Sequence, residues 1–323
     1  MATEHSTLPF ISIVTVNWNG RHLLEKLLPA LEAQDYPTDR YEIIVVDNYS
    51  TRDDSVDFLK ANYPSVKLLE NHKNDGFARG CNLGMKLGRG DYFMLVNNDT
   101  QPKPDWLSKI VDCAEQEQAD AVVSKLLFAK DGGKIINNAG SILYPDRSWP
   151  VEEIGANQPD GPEYSKRREI TALCGASLLL SRTFLNKVGL FDESFFMYFE
   201  DTDLSWRGQK LGAKYYCCPD SVILHEHSAS SKEHSDFWTF YVTRNRLLIL
   251  LKHARLLLTT KAYLAFVKEF ILLPIGRGLA GKERRHQLRM VRLGLKIQLS
   301  LLVQFLPALL KRWQLLHEPR LAA

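Results

Sequence analysis

Phe10-Ile11-Ser12-Ile13-Val14-Thr15-Val16-Asn17-Trp18-Asn19-Gly20 is the stretch on which the fold turns. It opens with an apolar run rich in β-branched side chains, the pattern of a buried strand. The Asn-Trp-Asn-Gly cluster then stops it with turn chemistry. Downstream, Leu24, Leu27, Leu28 and Leu31 recur at helical spacing over residues 21–33, and Tyr36-Pro37 ends that helix. The alternation then repeats. Tyr41 to Val46 predicts a second buried strand halted at Asp47-Asn48, and residues 53–62 a helix. Val66 to Leu69 predicts a third strand, residues 78–88 a helix, and Tyr92 to Val96 a fourth strand halted at Asn97-Asn98-Asp99. Strands alternating with helices at this period predict an α/β fold, with a Rossmann-like, mostly parallel sheet flanked by helices.

In open sheets of this kind, ligands bind beyond the carboxyl ends of the strands. Asn17, Asp47 and Asn97–Asp99 all fall at such ends, so one edge of the sheet gathers polar side chains. No G-x-G-x-x-G follows the first strand and no Walker sequence occurs, which argues against nicotinamide and P-loop chemistry. A nucleophile elbow is also missing. Residues 130–168 form an irregular insertion, a loop or a short hairpin by composition. Apolar character resumes at 171–181, residues 183–188 predict a short helix, and Tyr215 to Val222 a strand leading to His225-Glu226-His227.

The chain has 323 residues, 45% hydrophobic and 24% charged, which is ordinary for a globular protein. Its net charge of +3 conceals a split: from Lys252 onward 14 basic residues face 3 acidic ones, and the preceding part carries 27 against 35. An acidic body with a basic tail points to an anionic surface as a partner. The pattern divides the chain into a body over 8–235 and an amphipathic helical region over 236–323. Within the latter, Arg285, Arg289, Arg292 and Lys296 share one helical face and Leu288, Val291 and Leu295 another, as in a helix lying in a membrane surface. Packing on the body or on a second subunit is the competing reading, and nucleic acid a third without any accompanying binding fold. The uncharged residues 297–310 fall short of the roughly 20 apolar residues a bilayer requires, and Pro307 interrupts them. Five scattered cysteines without framework spacing, and an N-terminus lacking the features of a secretion signal, predict a cytoplasmic protein.

Residues 191–207 place five carboxylates among aromatic side chains. An apolar bed raises a carboxylate's pKa and makes it a better proton acceptor. Glu200, Asp201 and Asp203 are therefore candidates for acid–base work, with Asp201 as a helix N-cap the structural alternative. Asp99 suits a hard divalent cation that also uses substrate phosphates, or else a turn cap. Asp47 suits hydrogen bonding to a base or ribose, or capping of the next helix. Gly76-Phe77-Ala78-Arg79-Gly80 opens a helix able to receive phosphate, though its glycines equally suit close packing. His225 is a candidate metal ligand, whereas the adjacent Cys217-Cys218 lack the usual zinc spacing.

Taken in order, Ile13-Val14-Thr15-Val16-Asn17-Trp18-Asn19, Val45-Val46-Asp47-Asn48, Asn74-Asp75-Gly76-Phe77-Ala78, Asn97-Asn98-Asp99-Thr100, Gly189-Leu190-Phe191-Asp192-Glu193, Phe199-Glu200-Asp201-Thr202-Asp203-Leu204 and His225 resemble family 2 of the inverting glycosyltransferases, which have the GT-A fold. The likeness covers roughly residues 8–255. Met197-Tyr198-Phe199-Glu200-Asp201 and Tyr241 with Arg244-Asn245-Arg246 look most like the bacterial rhamnosyltransferase branch, which builds cell-surface polysaccharide. The resemblance implies transfer of a sugar, L-rhamnose by that branch, from a dTDP- or UDP-sugar to a saccharide or polyprenyl-linked acceptor at the inner face of the cell membrane. It implies donor contacts from Thr15, Asn17, Asp47, Gly76, Arg79, Asn97 and Asp99, with Mg²⁺ or Mn²⁺ held by Asp99 and His225. Asn97 departs from the family's first metal-motif acid. Asp201 takes the place of the general base. A nucleotidyltransferase, or a non-catalytic scaffold of the same fold, are the alternatives; the first lacks a Gly-rich basic loop after the first strand.

Overall fold

The computed structural model describes residues 8–226, 234–276 and 284–317. Its first half follows the alternation: β1 (Ile11–Asn17), α1 (Arg21–Glu32), β2 (Tyr41–Asp47), α2 (Ser55–Asn62), β3 (Lys67–Glu70), α3 (Gly76–Leu87) and β4 (Tyr92–Val96). Then come β5 (Thr100–Pro102), α4 (Trp106–Glu117), β6 (Ala121–Phe128), β7 (Ile136–Asn138), β8 (Ser141–Leu143), β9 (Val151–Glu153), β10 (Arg168–Ile170), β11 (Ser177–Ser181), α5 (Arg182–Val188), α6 (Glu200–Lys210) and β12 (Tyr215–His225). The C-terminal part is helical: α7 (Asp236–His253), α8 (Leu256–Val267), a π-helical turn at Lys268–Leu272, α9 (Leu273–Gly276) and α10 (Arg284–His317).

The main path of the sheet runs β10-β12-β6-β11-β4-β1-β2-β3, with β5 and β7 attached to β12 and β6. β1 pairs in parallel with both β2 and β4, so the chain reverses its direction of winding between β1 and β4. That is the switch point at which such sheets open a crevice. β11 enters antiparallel between β4 and β6, so the sheet is mixed. Its Leu178, Leu179 and Leu180 are fully buried because helices or chain cover both faces. Residues 130–168 contain the short β8–β9 hairpin within a mostly irregular insertion.

Helices pack on both faces. Leu24, Leu27, Leu28 and Leu31 of α1 join Trp106 and Ile110 of α4 on one side, and α3 with α5 and α6 fill the other. α3 lies close to β1: a Cβ on Gly84 would come within 2.3 Å of the Val14 side chain. α4 and β6 are absent from the sequence reading, although β6 is buried along its whole length. Its Ser124 and Lys125 interrupt an otherwise apolar run; Ser124 finds buried partners in Trp106, Ser177 and Ser221, and Lys125 reaches out to the exposed Asp160.

The C-terminal helices pack on the body. Leu247, Leu248, Ile249 and Leu250 of α7 share a core with Phe195 and Trp206, and Phe266, Phe270, Leu293 and Ile297 extend it. α10 corrects the expected interruption at Pro307: it is one helix of 34 residues. Pro307 and Val303, the residue one turn earlier, both lie on the exposed side of the helix, so the carbonyl that proline leaves unbonded is not sealed in the protein core. His227, which the sequence pairs with His225, lies outside the described residues.

Candidate active site

A cleft of about 660 Å³ opens at the carboxyl ends of β1 and β4, with Trp18, Asn48, Asn97, Asn98, Asp99 and His225 on one part of its wall and Gly175, Phe196, Tyr198, Glu200 and Asp201 on another. Behind the first wall is a buried polar network. Asn17 Nδ2 donates to Asp47 Oδ1 at 3.0 Å, and Asn98 Nδ2 donates to Asn17 Oδ1 at 3.0 Å. Asp47 also accepts from Ser50 Oγ at 2.6 Å and from Ser50 N at 2.8 Å. These bonds join β1, β2 and β4 at their ends. Thr15, Asn17 and Asp47 therefore sit behind the cleft wall, and Asp47 orders the Tyr49-Ser50 turn rather than capping α2, whose N-cap is Asp54. The Thr15 hydroxyl is buried without a partner.

Asn48 reaches the cleft by another route. Its Nδ2 donates to Asn74 Oδ1 and to the Gly76 carbonyl, each at 3.0 Å. Gly76 begins α3 with φ +85°, a left-handed conformation that glycine takes freely, and a Cβ there would fall 2.4 Å from the Phe196 carbonyl oxygen. Arg79 points elsewhere, pairing with Asp75 at 3.3 Å and Glu193 at 3.5 Å, and it is not part of the cleft lining.

Asp99 and His225 come together: His225 Nε2 lies 3.3 Å from Asp99 Oδ1. The pairing of β12 with β5 sets this contact, because His225 stands opposite Thr100 in the antiparallel register. On the far side of the ring, Nδ1 lies 2.7 Å from Asn137 Oδ1. With Nδ1–H donated to that oxygen, the Nε2 end of the ring is turned towards Asp99, and the two together would suit a cation. Asn97 Oδ1 is also buried, with no hydrogen-bond partner. One carboxylate, one imidazole and one amide oxygen fit a hard cation that takes its other ligands from phosphate. Among the described residues, no three His, Cys, Asp or Glu side chains form a self-sufficient cage.

The opposite wall carries the acids. Phe199, with φ +70°, is the N-cap of α6, so the helix begins at Glu200 and Asp201 is not its cap. Asp201 Oδ2 accepts from Gly175 N at 3.0 Å and Oδ1 from Thr202 N at 2.7 Å. Burial raises the Asp201 pKa above its ordinary value, and these N–H bonds offset only part of that. Burial, with Asp201 alongside, pushes Glu200 up well above the usual carboxylate range. Glu200 Oε2 has no hydrogen-bond partner. Asp203 points away from the cleft and is fully buried against Arg207, Lys252 and His253. Burial alone would raise its pKa, but Lys252 and Arg207 outweigh it and hold it well below the ordinary value. Asp192 joins the same network through Lys252 at 2.7 Å and Lys311 at 2.5 Å.

Sequence reasoning did not single out Gly175, Asn137 or Asn245 as individual site residues. Gly175 carries no motif, and its part is played by a backbone N–H. Asn137 lies in the insertion whose course the residue pattern leaves open.

Residues 12–189 match the model of glycosyl transferase family 2, and the chain belongs to that family. Among its relatives, the O-antigen biosynthesis protein RfbC of Myxococcus xanthus is 28% identical over 72% of this chain, which spans only 19% of that protein's length. The N-acetylglucosaminyl-diphospho-decaprenol L-rhamnosyltransferase of Mycobacterium tuberculosis is 27% identical over 68% of this chain and 77% of its own. Two solved structures share the fold. A mannosyltransferase from Pyrobaculum calidifontis in complex with GDP-Man and Mn²⁺ covers 91% of this chain and 88% of its own, with a TM-score of 0.56 and 18% identity. GalNAc-T7 with UDP, GalNAc and Mn²⁺ covers 76% of this chain and 48% of its own, with a TM-score of 0.60 and 17% identity. This likeness identifies the mixed, mostly parallel sheet flanked by helices as a GT-A fold.

Proposed function

We propose that the protein transfers a sugar, L-rhamnose in our reading, from a nucleoside-diphosphate donor to a hydroxyl of a saccharide or lipid-linked saccharide, with inversion at the anomeric carbon. The observation that carries this reading is Asp201, a half-buried carboxylate whose pKa desolvation raises and which lines the same cleft as Asp99 and His225. Asp201 accepts the proton of the acceptor hydroxyl as that oxygen attacks the anomeric carbon. The nucleoside diphosphate leaves from the opposite face of the sugar, and no covalent bond to the enzyme forms. Glu200, whose carboxyl burial pushes well above the usual carboxylate range, stands beside Asp201. Asn17, Asp47 and Thr15 shape the end of the crevice that receives the nucleoside, and Gly76 lets α3 approach the diphosphate. Asp99 and His225, with Asn97, would hold Mg²⁺ or Mn²⁺, which when bound neutralises charge on the departing diphosphate. The relative from Mycobacterium tuberculosis, named as acting on a diphospho-decaprenol sugar, supports a lipid-linked acceptor and the L-rhamnosyl donor.

The C-terminal helices support a membrane partner on the cytoplasmic face. α10 is long and apolar enough to cross a membrane, yet one side of it packs on the body. On its exposed side the stripe Arg285, Arg289, Arg292 and Lys296 continues as Leu299, Val303, Leu306, Leu310 and Trp313, with Leu306 70% exposed. Leu257 and Leu264 of α8 add to the exposed apolar surface. Arg289, Lys311 and Arg312 are engaged with Asp236, Asp192 and the carbonyls of Leu251 and Ala254. The apolar stripe thus supplies the attachment, and the free basic residues meet the lipid headgroups.

A panel of nucleotide sugars, screened for thermal stabilisation, hydrolysis and transfer with Mg²⁺ or Mn²⁺, tests the donor assignment. A dTDP- or UDP-sugar that stabilises the protein and is turned over supports it; stabilisation by none of them removes it.

A further inference from the structure

The loop leading to Glu200 and Asp201 has an unusual backbone. Phe196, Tyr198 and Phe199 have φ of 66°, 68° and 70°, three left-handed residues among four, none of them glycine. Met197 N closes onto Phe195 O at 2.8 Å in a tight three-residue turn. Such conformations persist only where surrounding structure over-determines them.

The restraint comes from α7. Asn245, fully buried, directs Nδ2 at three carbonyls of this loop: Phe195 at 2.9 Å, Met197 at 2.7 Å and Tyr198 at 2.8 Å. Three acceptors around one terminal atom admit only a donor there, which fixes the orientation of the amide. Arg244 supports it. Its Nη1 donates to Asn245 Oδ1 and to the Ser194 carbonyl, each at 2.6 Å, and its Nε to Ser300 Oγ of α10 at 3.2 Å. Phe196 stacks on Tyr241 with ring centroids 4.8 Å apart. The last residue of the loop, Phe199, is the N-cap of α6 and accepts from Asp203 N at 2.9 Å. The backbone directions of Glu200 and Asp201 follow from where Asn245 holds the carbonyls before them.

We infer that Asn245, braced by Arg244, is a positioning residue that sets the aim of Asp201, so that the catalytic unit extends past residue 235 into the C-terminal helices. This rests on Asp201 acting as the base. Asn245 touches neither the β1–β4 end of the cleft nor Asp99, so its loss acts on turnover rather than on nucleotide binding.

The test uses the full chain carrying Asn245→Asp, which keeps the side chain's shape and sets a carboxylate against three carbonyl oxygens. Three quantities are compared with wild type: hydrogen exchange across the chain, the affinity for dTDP with Mn²⁺, and kcat with dTDP-L-rhamnose and a saccharide acceptor. The expected result is faster exchange confined to peptides within 193–203, unchanged exchange in β1 and β4, unchanged nucleotide affinity, and kcat lower by about 100-fold, the usual effect of an ångström's misplacement. Unchanged exchange in 193–203, acceleration spread evenly through the chain, or full kcat with a loosened loop each overturns the inference. Should Asn245→Asp not fold, Arg244→Lys, which leaves Asn245 Oδ1 unbraced, is expected to show the same pattern more weakly, with the same contrary results. A wild-type protein that turns over no nucleotide sugar would remove the functional reading itself, and the exchange comparison then decides alone whether Asn245 sets the loop.

Discussion

The backbone N–H of Gly175 donates to Asp201 Oδ2 at 3.0 Å. This bond ties the α6 carboxylate to the chain entering β11, the antiparallel strand inserted beside β4. With Thr202 N on the other oxygen, Asp201 is oriented by two amide donors while it stays half-buried at the cleft. The amides favour the charged form and burial disfavours it; burial prevails. A base with its pKa raised in this way accepts a proton more readily than a solvated aspartate.

The pH profile follows. Transfer requires Asp201 deprotonated, and its pKa is raised, so the acid limb of kcat/KM is expected above the ordinary carboxylate value of about 3.9. Initial rates across the acid range measure it. A limb at or below the ordinary value would show that burial does not govern this group.

The second prediction concerns the metal end. Asn137 orients the His225 ring from behind, and loss of such a partner commonly weakens metal affinity by about 10–100-fold. Asn137→Ala should shift the Mn²⁺ dependence of transfer by that order while saturating metal largely restores the rate. Asp99→Ala should abolish the divalent-dependent part of donor binding. Full activity of the wild-type protein in excess chelator would rule out the metal role.

The alternation from Phe10 to Asp99 was legible because each buried strand is a continuous apolar run ended by polar turn residues. β1, β2, β4 and their three polar ends lie where that pattern puts them. β6 was illegible because Ser124 and Lys125 break its apolar run, and only the tertiary partners Ser177, Ser221 and Asp160 explain them. The acids of residues 191–207 were recognisable as a group but not separable. Asp201 and Asp203 differ by two positions on a helix, which turns one towards the cleft and the other into the core beside Lys252. The Asn245 clamp needs residues from distant parts of the chain and a backbone conformation that no local propensity favours.

That core network yields a stability prediction. Lys252 is almost wholly buried between Asp192 and Asp203, and removing one partner of a buried ion pair costs about 3–5 kcal/mol. Lys252→Met is expected to destabilise by that order in urea titration. Burial pushes the neighbouring His253 imidazole down to about 4 from 6.5. Between those values the unfolded chain binds a proton that the folded chain does not, so stability is full above 6.5 and falls as pH drops towards about 4. Asp203, with its pKa depressed, adds a further loss at still lower pH, below the unfolded carboxylate value. Constant stability between pH 7 and pH 5 would contradict this.

Attachment to membranes gives the fourth prediction. Leu299→Glu with Leu306→Glu should release the protein from vesicles of mixed anionic and neutral lipid, while added salt weakens wild-type binding only partly. Release of the wild type by salt alone would mean that charge, not the apolar stripe, holds it. Wild-type protein that ignores vesicles but dimerises through this face would assign the stripe to a second copy.

The most direct measurement is of Asp201→Asn, with kcat for transfer and donor affinity determined on the same preparation. The amide keeps the shape and cannot take the proton, so kcat is expected to fall by about 10²–10⁴-fold, the usual contribution of a general base, with donor affinity nearly unchanged. Turnover near the wild-type rate would contradict Asp201 as the base.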